Sequence, residues 1–146
     1  MLSQASYVLT TQLTAALEDV GITPRSFCLM KTAMNGEFTQ SELAKAVGLD
    51  KTTMVVTVDE LEAAGLARRQ PSAEDRRVRV IAVTKAGARK VAQAEAIVDQ
   101  VHDEVLSALP AGDRKRFLES LGRLVDERLC EAAECTHRVR RRRAPG

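Results

Sequence analysis

Residues 39 to 65 read Thr39-Gln-Ser-Glu-Leu-Ala-Lys-Ala-Val-Gly-Leu-Asp50-Lys-Thr-Thr-Met-Val-Val-Thr-Val-Asp-Glu-Leu-Glu-Ala-Ala-Gly65, two short helices and the turn between them. Thr39 and Glu42 stand in capping-box spacing, where hydroxyl and carboxylate each satisfy a free backbone N–H. Leu43, Ala46 and Val47 then give one apolar stripe, and Gly48 supplies the left-handed residue that ends the helix. Asp50 suits the N-cap of the next helix, with Leu49 and Met54 as a hydrophobic staple across it. On that helix Val55, Val58 and Leu61 are expected to face the core, leaving Lys51, Thr52, Thr53, Val56 and Thr57 facing out. Gly65 closes it.

Beyond Gly65 the period changes from helical to alternating. Leu66 to Gln70 reads as a short strand, and Val78, Val80 and either Ala82 or Val83 as its partner. Pro71 and Ser72 begin the connection, with an exposed tip near Ala73 to Arg76. Between residues 68 and 90 the cations are Arg68, Arg69, Arg76, Arg77, Arg79, Lys85, Arg89 and Lys90, against the two acids Glu74 and Asp75. A hairpin so basic, beside a helix-turn-helix, suits the phosphate backbone and the negative minor groove. Asp75 is expected to pair with Arg77 and so orient the arginine or stiffen the turn. The spacing predicts a winged helix-turn-helix that binds duplex DNA.

Three segments also resemble the MarR family of bacterial transcription regulators. They are Gln40-Ser-Glu-Leu-Ala, Asp59-Glu-Leu-Glu-Ala-Ala-Gly-Leu, and Asp75-Arg-Arg with Thr84 and Gly87 beyond it. Thr23-Pro-Arg-Ser-Phe27 is similar to that family's entry into its second helix, so the likeness spans most of residues 20 to 90. The resemblance implies a homodimer, usually a repressor, whose DNA affinity falls when a small ligand or oxidant acts on it. It also implies a wing feature, Asp-x-Arg, falling here on Asp75 and Arg77. The expected fold class is mainly α: a winged helix-turn-helix with a two-stranded β-wing and a helical dimerisation region from the N- and C-terminal helices. One MarR-like domain is expected over 1–137, with 24–84 as the DNA-binding lobe and 1–20 and 85–135 as dimerisation helices. A basic disordered tail is expected over 138–146.

Composition bounds the alternatives. The chain has 146 residues, one domain's worth, and 45% are hydrophobic, enough for a core. Three Phe, one Tyr and no Trp argue against single-strand binding by base stacking. A net charge of +2 is too small for global attraction, so DNA affinity must come from local segregation of charge. No apolar run approaches ~18 residues and the N-terminus lacks a signal peptide's basic start. A cytoplasmic protein without a membrane partner is expected, and three cysteines suit reduced thiols.

Outside the reading head, Leu9, Leu13, Ala16, Leu17 and Val20 make an amphipathic first helix. A second starts at Pro24, with Phe27, Met30 and Ala33 on one face. A long helix capped by Thr84 carries Val91, Ala94, Val98, Val101, Val105 and Ala108 at spacings of 3, 4, 3, 4 and 3, a seam for packing along another helix. Pro110 ends it, and a last helix carries Phe117, Leu121, Leu124, Val125 and Leu129. Packing inside the monomer and a dimer interface both fit. Two-fold pairing would set two reading heads ~34 Å apart on a pseudo-palindromic operator.

At the DNA, Lys51 or a threonine can meet phosphate, Thr52, Thr53 and Thr57 can bond base edges, and Val56 can touch a thymine methyl. Gln40 and Ser41 are placed for phosphate contact, and Arg76 and Arg77 for the minor groove. The tail Arg138-Val-Arg-Arg-Arg-Arg143 reads as solvated or as an electrostatic arm.

The resemblance implies a small apolar or phenolic effector between the DNA lobe and the dimer helices, bordered by Leu13, Cys28, Thr32 and residues near Val91; plain core packing explains them equally well. A redox sensor using Cys28 is an alternative. Cys130 and Cys135, with His137, are ~140° apart around a helix, a poor metal site. No metal, cofactor or catalytic residue is assigned, because nothing groups a nucleophile, a base and oxyanion donors; His102 and His137 lie on late helices. A winged helix used for protein contact remains the other class, and would show an apolar patch in place of the polar, arginine-rich face.

Overall fold

Side-chain caps decide where four of the helices begin in the computed structural model, which describes residues 1–129. Thr23 accepts from the Ser26 N–H at 3.1 Å and starts α2, Pro24–Ala33, with proline at a first-turn position where no N–H is missed. Thr39 and Glu42 close a complete capping box on α3, Gln40–Ala46. Asp50 accepts from the Thr53 N–H at 3.0 Å and opens α4, Lys51–Ala63. Thr84 accepts from the Gly87 N–H at 3.1 Å and opens α5, Lys85–Ser107. Ahead of them lies α1, Leu2–Ala16, followed by a 3-10 turn over Glu18–Val20. A sixth helix, α6, spans Ala111–Glu127, within the region expected to supply dimerisation helices. Cys130, Cys135, His137 and the basic tail of 138–146 lie outside the described residues.

The hairpin forms as expected, with β1 at Ala67–Pro71 antiparallel to β2 at Arg79–Val83 in the register Ala67 to Val83 and Arg69 to Ile81. The segment before α3 extends it: Thr39 bridges Val80, and the Ile81 N–H donates to the Phe38 carbonyl at 3.0 Å. The expected alternation through Val78, Val80 and Ala82 or Val83 is not what is buried: the consecutive Val80 and Ile81, on opposite faces of β2, are both buried, whereas Val78 is exposed in the turn. The wing is thereby stitched to the helical lobe along its base.

The core lies where α2, α3, α4 and the first half of α5 converge. Leu17, Leu29, Met30, Leu43, Met54 and Val58 are fully buried there. The seam of α5 divides: Val91, Ala94 and Val98 are buried, Val101 is half-buried and Val105 is exposed. No residue of α1 or α6 is buried, and Tyr7, Phe117, Leu118, Leu124 and Val125 are all exposed. The strand-to-helix junction is tight at Gly87. A Cβ built there would stand 2.1 Å from the Leu66 carbonyl oxygen, the same oxygen that accepts from the Thr84 N–H at 3.0 Å.

Candidate nucleic-acid interface

The exposed face of α4 is set by its buried one. Met54, Thr57, Val58 and Leu61 are buried, a 3-1-3 pattern that stays on one side of the cylinder. Thr52, Val55, Val56 and Asp59 occupy the opposite side and are exposed. Two expectations on α4 and one on α3 are corrected. Val55 points out, at 41% exposure, because steps of three from 55 to 58 to 61 walk off a 3.6-residue helix face. Thr57 points in, at 2% exposure, and its hydroxyl donates to the Thr53 carbonyl at 2.8 Å; it offers nothing to a base edge. Ala46, expected in the stripe of α3, is exposed, and Ala44 is buried beside Leu43 in its place.

Lys51 and Thr52 are exposed at the N-terminal end of α4, while Thr53 is half-buried. The Thr53 hydroxyl donates to Asp50 at 2.6 Å, so toward a base it retains only acceptor capacity. That bond and the Thr53 N–H hold the Asp50 carboxyl below the usual carboxylate range. Glu42 is held low in the same way by the Thr39 N–H and then by its hydroxyl. Both caps are therefore charged at neutral pH.

Arg76 and Arg77 lie exposed in the turn between the strands. Asp75 shapes that turn, although by a different contact from the expected ion pair: its carboxylate accepts from the backbone N–H of Arg77 at 2.9 Å, and its carbonyl from Val78 at 3.0 Å. The aspartate thus fixes the arginine's backbone and leaves the guanidinium reaching outward. At the wing's base Glu37 accepts from the Ser72 hydroxyl at 2.6 Å and from the Ala73 N–H.

A latch that sequence reasoning missed joins the parts. Arg69 on β1 pairs with Asp59 at 2.8 Å and with Glu62, both on α4, and donates to the Gln40 side-chain oxygen on α3 at 3.1 and 3.0 Å. Its backbone N–H also donates to Glu62 at 2.7 Å. The acids of Asp59-Glu-Leu-Glu62 thereby bind the wing to both helices of the helix-turn-helix. Gln40, expected at phosphate, spends its oxygen on this latch and keeps its amide donors; Ser41 beside it is exposed. Spacings of 7, 10 and 29 residues carry no local period, so only the capping and turn chemistry around them was visible in advance.

The expected effector residues are dispersed between core and surface. Val91 is buried, Leu13 and Thr32 are half-buried, and Cys28 is exposed. A depression of about 520 Å³ lies instead at the α1–α2 junction, lined by Thr11, Thr14, Ala15, Glu18, Ile22 and Thr23 with Gly21. Although Cys28 reaches the surface, surrounding protein pushes its thiol pKa up, and nearby Lys31 opposes this more weakly. That shift lowers the thiolate fraction a redox sensor needs. Among the described residues no helix is long and apolar enough to cross a membrane and no acidic, His or Cys cluster could hold a metal.

Residues 21–78, the helix-turn-helix and most of the wing, match the model of the MarR family. Among solved structures, CouR from Rhodococcus jostii RHA1 bound to p-coumaroyl-CoA is 29% identical with a TM-score of 0.78, covering 86% of this chain and 90% of that one. The repressor CouR bound to a 23-mer DNA duplex is similar at 25% identity and a TM-score of 0.73, covering 86% and 89%. A mutant MarR from E. coli complexed with operator DNA matches at 25% identity and a TM-score of 0.74, covering 85% and 89%.

Proposed function

We propose that the chain is a regulator of the MarR family, which its residues 21–78 match, and that it is a homodimeric, sequence-specific repressor that a small effector releases from duplex DNA. One observation carries the DNA reading: the exposed face of α4 opens at Lys51 beside a wing whose turn presents Arg76 and Arg77. A helix of this width enters the major groove while arginines favour the narrow minor groove next to it. Lys51, Gln40 and Ser41 contribute phosphate contacts, Thr52 and Thr53 contact base edges, and Asp75 holds the wing turn.

The dimer follows from apolar surface with no cover. Tyr7 on α1, Val105 on α5 and Phe117, Leu118, Leu124 and Val125 on α6 are each at least 45% exposed, and neither α1 nor α6 buries a residue within the chain, which supports a partner for these helices. Repression and effector release are supported by one relative, the repressor CouR, seen both on a DNA duplex and bound to p-coumaroyl-CoA. A phenolic or apolar effector is the class that relative suggests, and the open depression beside α1 is the place to look for it. Such a protein acts in the cytoplasm, with its DNA, and needs no catalysis.

A mobility-shift assay with the intergenic DNA beside its own gene tests the DNA reading. A retarded band at modest salt, lost on adding a phenolic acid or its thioester, is the expected result. Failure to retain any duplex from a random pool overturns it. Sedimentation velocity tests the dimer, for which a monomer at micromolar concentration is the contrary outcome.

A further inference from the structure

Val55 and Val56 are 41% and 50% exposed on the outer face of α4, and the core gains little from either. Their presence costs helix stability. Residues 52 to 58, Thr-Thr-Met-Val-Val-Thr-Val, are β-branched at every position but Met54, and such side chains lose freedom against the preceding turn. Burial justifies that for Thr57 and Val58, but not for the two outward valines. The same stiffness has a use at an interface: a β-branched side chain in a helix holds nearly one χ1 rotamer, so its methyl groups are ordered before anything binds.

The neighbours define what could lie against them. Thr52 is one turn before Val56, Lys51 stands at the N-terminal end, and Asp59 one turn on is engaged by Arg69. Apolar carbon flanked by a hydroxyl, a cation and a neutralised acid does not resemble a protein-binding groove, which would need a broader apolar floor. In the major groove only one base edge offers apolar carbon, the C5-methyl of thymine. We propose that Val55 and Val56 form a paired methyl reader that makes this protein require thymine at adjacent or near-adjacent positions of each half-site. The proposal rests on the DNA-binding function above and deepens it by naming the base that α4 selects.

The test separates the two. Duplexes retained from a random pool are sequenced, and each thymine of the enriched half-site is replaced singly by deoxyuridine, which pairs with adenine as before but lacks the methyl. Wild-type protein is expected to lose about fourfold in affinity at one or two of these positions, the weight of one apolar carbon returned to water. Val55→Ala and Val56→Ala, each favourable to the helix, should bind thymine and uracil duplexes alike at the position that side chain reads. An enriched half-site without thymine, uracil indifference in wild type, or a uracil penalty unchanged in both variants overturns the methyl reader while leaving DNA binding intact. Retention of no duplex at all overturns both, and would make the valines a protein contact.

Discussion

Replacing Arg69 by alanine asks whether the latch is what sets the wing against α4. Its guanidinium and the Glu62 carboxylate are 30% and 33% exposed, between a surface pair worth ~0.5 kcal/mol and a buried one worth ~3. About 1 kcal/mol is a fair weight for that pair. Asp59, at 60% exposure, adds only a few tenths after screening by water, and the bond to Gln40 adds under ~1 kcal/mol. Arg69→Ala should therefore lower unfolding stability by about 2 kcal/mol in urea titration. DNA affinity, read by fluorescence anisotropy at fixed salt, should fall roughly tenfold as the wing loses its register.

Glu62→Ala discriminates between a latch and a direct phosphate contact. Deleting a carboxylate near DNA ordinarily raises affinity, because it removes repulsion. A latch demands the reverse: Glu62→Ala should weaken binding about as much as Arg69→Ala, and the double variant should be little worse than either. If Glu62→Ala binds duplex as well as or better than wild type, Arg69 acts on phosphate and the coupling account is wrong.

Other consequences are separable. Gly87→Ala should destabilise by about 2 kcal/mol or more, since its methyl would meet the Leu66 carbonyl at 2.1 Å, whereas Gly112→Ala, with nothing within 4 Å, should be neutral or stabilising. Equal melting temperatures for the two would contradict the close approach. Asp50 and Glu42 have carboxyl pKa values lowered by folding, so their stabilisation is full above the unfolded values near ~4 and is lost as pH falls through the folded ones. Asp50→Asn keeps a capping oxygen but cannot titrate, so its melting temperature should fall less steeply in acid; an acid limb identical to wild type would discount the cap. Thr57→Val should leave DNA affinity within about twofold, because that hydroxyl donates only to the Thr53 carbonyl; a tenfold loss would return it to the interface.

What could be read in advance, and what could not, divides along the range of the forces involved. Caps act over three residues, so Thr39, Asp50 and Thr84 announced three helix starts correctly. Pro71, Ser72 and the change of period after Gly65 located the wing, although the faces of β2 do not follow the expected alternation. The phase of α4 escaped because Thr and Val crowd positions 52 to 58 and give little polar contrast, so a staple role for Met54 hid its place in the core. Correcting that phase moves Thr57 off the exposed face of α4 and Val55 onto it, and turns a mostly hydrogen-bonding surface into one with two neighbouring valines. The latch escaped for the opposite reason: Arg69, Asp59, Glu62 and Gln40 meet only after the chain has turned through Gly65 and the wing has docked. Those two misses concern the same piece of machinery. Arg69 neutralises the acid that would otherwise lie beside Val55 and Val56 on the outer face, and it anchors the strand leading to Arg76 and Arg77. On the function proposed above, α4 and the wing are then one mechanical unit at the DNA, and a shift of one would carry the other with it.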